Sequence, residues 1–191
     1  MSYKGDAYYI SQVLEGRVDA FSRIVERHKD HAFNLAIKIC GNREEAEEVA
    51  QDSFLKAYRS LGSFQSRSSF STWLYRIIFN TAISKVRTKN SELLSLEDFP
   101  AESADFLSDD STGEEAEVEY RNSLVSFALQ KILPEDRALI TLYYYDEKDI
   151  AEIAVITGMT QSNVKVRLFR ARQKMAEIIK KAENKIHVCH E

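Results

Sequence analysis

Residues 91–119 constrain this chain more than any other stretch. They hold eleven acidic side chains and no lysine or arginine, interspersed with serine, a proline and a glycine. Such a segment cannot bury enough apolar surface to offset the entropy of ordering it. It therefore reads as a flexible acidic linker over 91–118, separating a domain over 1–90 from another over 119–191. The segregation also changes the meaning of the formal net charge of −4. With the eleven acids set aside, the remaining residues carry +7, and residues 165–181 alone carry +6. Basic helices flanking an acidic connector point to a polyanionic partner.

On either side of the linker the pattern is helical. The 191 residues include only six glycines and two prolines, and long runs of helix formers leave no defensible strand. Apolar residues from Ala20 to Ile39 keep a helical period and stop at Gly41, and Asn42 with Glu45 suggests a capping box for the next helix. That helix buries Ala46, Val49, Ala50, Phe54, Ala57 and Leu61, whereas Glu44, Glu47, Glu48, Gln51, Asp52 and Lys56 form a polar face. "GSFQSRSS" is a loop whose serines can cap a helix starting at Phe70. Helical pattern resumes from Val118 to Leu133, and Pro134 suits the first turn of a helix reaching Tyr145. The fold class is all-α, in two small helical domains.

Three constellations stand out. Ala154, Gly158 and Val164 occupy the offsets of a helix-turn-helix: a small residue at the crossing, a glycine at the turn and an apolar anchor on the second helix. Around that anchor, Asn163, Lys165, Arg167, Arg170 and Arg172 suit a DNA groove and its phosphates, although a solvated hairpin would share the pattern. In "FSTWLYRIIFNTAISKVRTK", Phe70, Trp73, Leu74, Ile77, Ile78, Thr81 and Ala82 make a core stripe, but Tyr75 and Phe79 fall off it beside Arg76 and Lys85. Such rings either stack the bases of a single strand or make a two-sided core helix, and composition leaves both open. Glu48, Gln51 and Asp52, taken alone, are a solvated helix face.

The blocks "EEVAQDSFLKAYRSLGSF", "FSTWLYRIIFNTAISK", "LPEDRALITLYYYDEKDIAEIA" and "NVKVRLFRARQKM", in that order and spacing, resemble the extracytoplasmic-function (ECF) class of bacterial RNA polymerase sigma factors over residues 5–180. The resemblance implies a sigma region 2 helical bundle and a sigma region 4 helix-turn-helix. It implies that Glu48, Gln51, Asp52 and Phe54 dock on the clamp of core RNA polymerase, with the flap as a further contact. It implies that Phe64, Phe70, Trp73, Tyr75, Arg76 and Asn80 engage the melted −10 promoter element, with loop 62–69 holding the pocket for an extruded base. And it implies that Asn163, Lys165, Arg167, Phe169, Arg170 and Arg172 read the −35 element. Core RNA polymerase and promoter DNA are then the partners, and a dedicated anti-sigma factor is a further one. The acidic connector would pass through the polymerase cleft. Where many members have a Leu-Ser pair, this chain has the charged run Asp146 to Asp149.

Other classes find little support. No phosphate-binding loop, dinucleotide turn or nucleophile motif is present, so no catalysis and no cofactor is expected. His187, Cys189 and His190 are too crowded for a tetrahedral zinc site, and His28 with His31 reads as packing. Two cysteines make no disulfide framework, and Cys40 reads as a small apolar residue. The N-terminus lacks a signal-peptide core and no run matches a membrane span, so a cytoplasmic protein without membrane insertion is expected. A stand-alone helix-turn-helix regulator and a helical protein-interaction adaptor are the rival readings.

Overall fold

A computed structural model describes residues 4–94 and 114–188, with side chains for 4–89 and 117–184. Of the connector, residues 95–113 lie outside the described residues, as do Cys189, His190 and the side chain of His187; its two ends, 91–94 and 114–118, are helical. Among the described residues there are eight α-helices: α1 (Asp6–Leu14), α2 (Phe21–Cys40), α3 (Arg43–Ser60), α4 (Phe70–Leu94), α5 (Glu114–Gln130), α6 (Pro134–Tyr144), α7 (Ile150–Thr157) and α8 (Gln161–Val188), with short 3-10 turns at Val18–Ala20 and Leu61–Ser63. No strand occurs among the described residues.

Local chemistry sets the boundaries. Helix α2 ends because Gly41 adopts a left-handed conformation, φ 76°, that a side chain would disfavour. Asn42 then caps α3, accepting from the Glu45 amide at 3.1 Å. The expected capping box is only half formed, since the Glu45 carboxylate turns instead to Lys89 at 2.7 Å. Ser69 Oγ accepts from the Thr72 amide and starts α4. Pro134 stands in the first turn of α6, and Asp149 and Glu152 form a full capping box on α7. Helix α5 begins at Glu114, ahead of the expected resumption at Val118, because acidic residues in a first turn favour the helix dipole.

Helices α1 to α4 pack around Ile24, Leu35, Ile39, Leu74 and Ile78, and α5 to α8 around Leu139, Leu142, Ile153, Ile156 and Val164. The two groups are not separate bodies: α2 packs on α6 and α4 on α7, and the buried residues form one continuous core. Helix α4 explains how. Leu74, Ile78 and Ala82 are buried, and so are Tyr75 and Phe79 off that stripe, so of the two readings left open for these rings the structure shows the two-sided core helix.

One buried cation ties the halves together. Arg137 of α6 donates to the carbonyls of Ile39 (3.2 Å) at the end of α2, and of Gln130 (2.8 Å) and Ile132 (3.4 Å) at the end of α5. Helix C-termini carry unpaired carbonyls and a negative dipole end, so a guanidinium satisfies both at once. Burial disfavours its charged form and lowers its pKa.

Candidate nucleic-acid and polymerase interfaces

The polar face of α3 is as expected, with one correction. Glu48, Gln51 and Asp52 are exposed, and Glu48 pairs with Lys85 of α4 at 2.7 and 2.8 Å. Phe54 is only 8% exposed and belongs to the core, because it lies on the stripe shared with Ala46, Val49 and Ala57. The large apolar side chain that extends the face is Leu55, 53% exposed, three residues after Asp52 and seven after Glu48. Its helical offset from the acids was visible in the sequence.

Around loop 62–69, Phe64, Phe70 and Trp73 form a three-ring cluster with centroids 5.3–5.6 Å apart, and His28 approaches Phe70. Beside it lies a cleft of about 390 Å³ lined by Asp6, Ile10, Leu14, Phe64, Ser66, Ser69 and others. Ser66 has φ 52°, so the loop holds one strained residue at the mouth of the cleft. Asn80 and Arg76 are exposed.

Tyr75 stands apart from this cluster. Its hydroxyl donates to Asp146 Oδ1 at 3.1 Å, with Lys148 Nζ 5.5 Å from the ring centroid. Thr72 donates to Glu152 at 3.1 Å, and Arg76 reaches the Val155 carbonyl at 3.4 Å. Three neighbours on α4 are thus turned toward the turn before α7 and α7 itself. Asp146 is further approached by His31 Nδ1 at 3.6 Å. Burial raises the pKa of both Asp146 and Tyr75.

The C-terminal pair has the geometry its spacing implied. Gly158 is left-handed, φ 73°, and Val164 is fully buried. Val166 and Phe169 are 47% and 53% exposed on the outer face of α8, and Asn163, Lys165, Arg170 and Arg172 are exposed beside them. Arg167 differs: it is held by Asp136 of α6, with Nε and Nη2 at 2.7 and 2.6 Å from one carboxylate oxygen. Its guanidinium braces the second helix against α6.

A helix-turn-helix with a cationic outer face, joined to a bundle with an aromatic cleft, is matched by known proteins along its length. Residues 24–92 match the family model of Sigma-70 region 2, and residues 124–175 that of Sigma-70, region 4. The chain is 34% identical over 171 residues to the ECF RNA polymerase sigma factor SigW of Bacillus subtilis, covering 86% of this chain and 91% of that one. The chain belongs to the ECF family of RNA polymerase sigma factors. The sigma-E factor of Escherichia coli K12 is 33% identical over 174 residues, covering 88% and 91%. In fold, the sigma factor is similar to CnrH in complex with the cytosolic domain of CnrY (TM-score 0.66, 22% identity, 93% and 99% covered). It is likewise similar to RpoE of Bartonella quintana in complex with the anti-sigma factor NepR (0.65, 22%, 84% and 96%). As a sigma factor it binds core RNA polymerase and directs promoter recognition in transcription initiation.

The residues that sequence reasoning missed are those joining the two halves of the sigma factor: Asp136, Arg137, Asp146 and Glu152. The signal for Asp146 was the departure at 146–149, where a charged run stands in place of the Leu-Ser pair. Among the described residues no group of three His, Cys, Asp or Glu side chains could hold a metal ion, and no helix is long and apolar enough to cross a membrane.

Proposed function

We propose that the sigma factor works through three surfaces, without catalysing a reaction itself. The stripe Glu48, Gln51, Asp52 and Leu55 docks on the polymerase clamp. The cleft beside loop 62–69, with Phe64, Phe70, Trp73, Arg76 and Asn80, takes a base of the melted −10 strand. The outer face of α8, through Asn163, Lys165, Phe169, Arg170 and Arg172, reads the −35 duplex. Residues 1–90 and 119–191 are the two functional units, with 91–118 crossing the polymerase between them.

The observation that carries this reading is the coexistence on one chain of an acidic, exposed α3 stripe and two DNA-suited faces on opposite units. A stand-alone regulator has no use for the first. The two fold neighbours described above are each bound to a partner, one of them an anti-sigma factor. A protein of that kind covering the α3 stripe or the cleft would hold this chain inactive.

Binding of the labelled chain to bacterial core RNA polymerase tests the reading. Tight binding is expected, weakened at least tenfold by Gln51→Ala with Asp52→Ala. A folded chain that ignores core at micromolar concentration would return the stand-alone regulator to first place.

A further inference from the structure

Where α2, α4 and α7 meet the turn after α6, they surround one acidic side chain that none of the three binding surfaces uses. The Asp146 side chain is 7% exposed, and it opens the charged run that stands in place of the Leu-Ser pair. Asp146 belongs to the second half of the sigma factor, but its nearest polar partners come from the first. Tyr75 of α4 donates to Oδ1 at 3.1 Å, and His31 Nδ1 of α2 lies 3.6 Å from the same oxygen. Lys148, from its own turn, adds a positive charge nearby and also approaches Glu152 of α7 at 3.7 Å. Lys38 of α2 stands 5.1 Å from the centroid of the adjacent Tyr145 ring. Oδ2 is buried and meets no donor among the described residues.

A carboxylate taken out of water with one of its oxygens unpaired carries a desolvation cost that its neutral form escapes. That cost lasts only while the halves are packed, because the side chain regains water once α2 and α4 are drawn away. The packed arrangement thus holds a proton more tightly than the parted one, and burial accordingly raises the pKa of the packed carboxyl. A proton is then a ligand that favours one of two states.

We propose that Asp146 is a proton-operated latch between the two halves of the sigma factor: with its proton the halves stay packed, and without it they part more readily. Parting releases the proton, so the ratio of parted to packed chains rises with pH by at most about tenfold per unit. The rise begins at the ordinary carboxylate value of about 3.9 and levels off above the raised, packed one. His31 acts in the same direction, since its imidazolium form is attracted to the carboxylate in the packed chain. Glu135 of α6, paired with Arg87 of α4 at 2.9 Å, acts in the opposite one. Against the effect of burial, hydrogen bonds from Arg87 and the backbone lower its pKa, so Glu135 stays ionised above about pH 5. Tyr75, whose pKa burial raises, keeps its proton throughout. The consequence for function rests on the three-surface reading: if only parted chains engage core polymerase, affinity for core rises with pH by the same factor.

Urea titration of the full chain, labelled with a donor on α3 and an acceptor on α5, tests the latch between about pH 5 and 8.5, with energy transfer reporting separation and circular dichroism reporting helix loss. Loss of transfer should precede loss of helix, and its midpoint should move to lower urea as pH rises. Asp146→Asn keeps an acceptor for Tyr75 and has no proton to lose, so its transfer midpoint should be indifferent to pH. His31→Gln, at an exposed position, should reduce the parent's shift without abolishing it. A parent midpoint that does not move with pH, or an Asp146→Asn midpoint that moves as the parent's does, overturns the latch. Coincidence of the two transitions overturns it as well, because the halves then do not part as units. The titration needs no polymerase, so failure of the latch and failure of the three-surface reading remain distinguishable.

Discussion

Asp146 concentrates the unusual chemistry of this chain in one side chain. Its Oδ1 accepts from Tyr75, but Oδ2 is buried without a partner. Burial raises the carboxyl pKa, so the sign is the reverse of an ordinary paired aspartate. With the folded value above the unfolded one, its contribution to stability is greatest below the unfolded pKa of about 3.9 and is lost as pH rises through the folded value. Asp146→Asn keeps an acceptor for Tyr75 and removes the buried charge, and it should flatten the pH dependence of thermal stability on the acid side of neutrality. Tyr75→Phe takes away the donor and leaves the carboxylate buried, and it should cost about 1–3 kcal/mol at pH 7. Equal losses from both changes, measured by thermal denaturation, would show that the pair is not the coupled unit described. The half-buried Cys40 thiol is pushed up to about 11 by burial, so thiol-specific labels at pH 7 should react with it slowly.

Among the elements, α3 and the α7–α8 turn separate binding from folding. Leu55 is exposed, so Leu55→Glu should leave the melting temperature unchanged yet weaken core polymerase binding by about ten- to a hundredfold, the effect of losing one buried leucine. Gly158 shows the converse. Nothing lies within 4 Å of a Cβ placed there, so Gly158→Ala meets no clash and costs only the strain of a left-handed alanine, about 1–2 kcal/mol. That loss should appear as a lowered melting temperature. Most of these elements were legible: the periods, the Gly41 stop, the Ser69 and Pro134 starts and the helix-turn-helix spacing all depend on neighbours within a few residues. The helical period places Phe54 in the core, correctly, and only the family resemblance offers it as a docking residue, since a resemblance carries positions over without showing which way a side chain points. Arg137 was invisible for another reason. Its three carbonyl acceptors come from the ends of two other segments, one of them about a hundred positions away.

For the whole molecule, the decisive finding is that the linker joins two groups of helices that share a core. The sequence pattern could not reveal this, because a helix apolar on two faces looks the same whether its second face meets a strand of DNA or another helix. Polymerase binding is expected to part the halves. A donor fluorophore on α1 and an acceptor near the end of α8 should lose transfer efficiency when core is added. Unchanged efficiency in the assembled complex would mean that the packed arrangement persists there.

Thr72 and Tyr75, while they hold Glu152 and Asp146, are buried and out of reach of an incoming strand. Competition of this kind is intramolecular, and a tethered rival acts at an effective concentration on the order of millimolar. Apparent affinity for melted DNA is the intrinsic affinity multiplied by the open fraction, so a chain open roughly one time in a hundred binds about a hundredfold more weakly. Strand contacts to this buried face of α4 would thus form only once the halves part, and would be weaker in the free chain than in a state where the halves are apart.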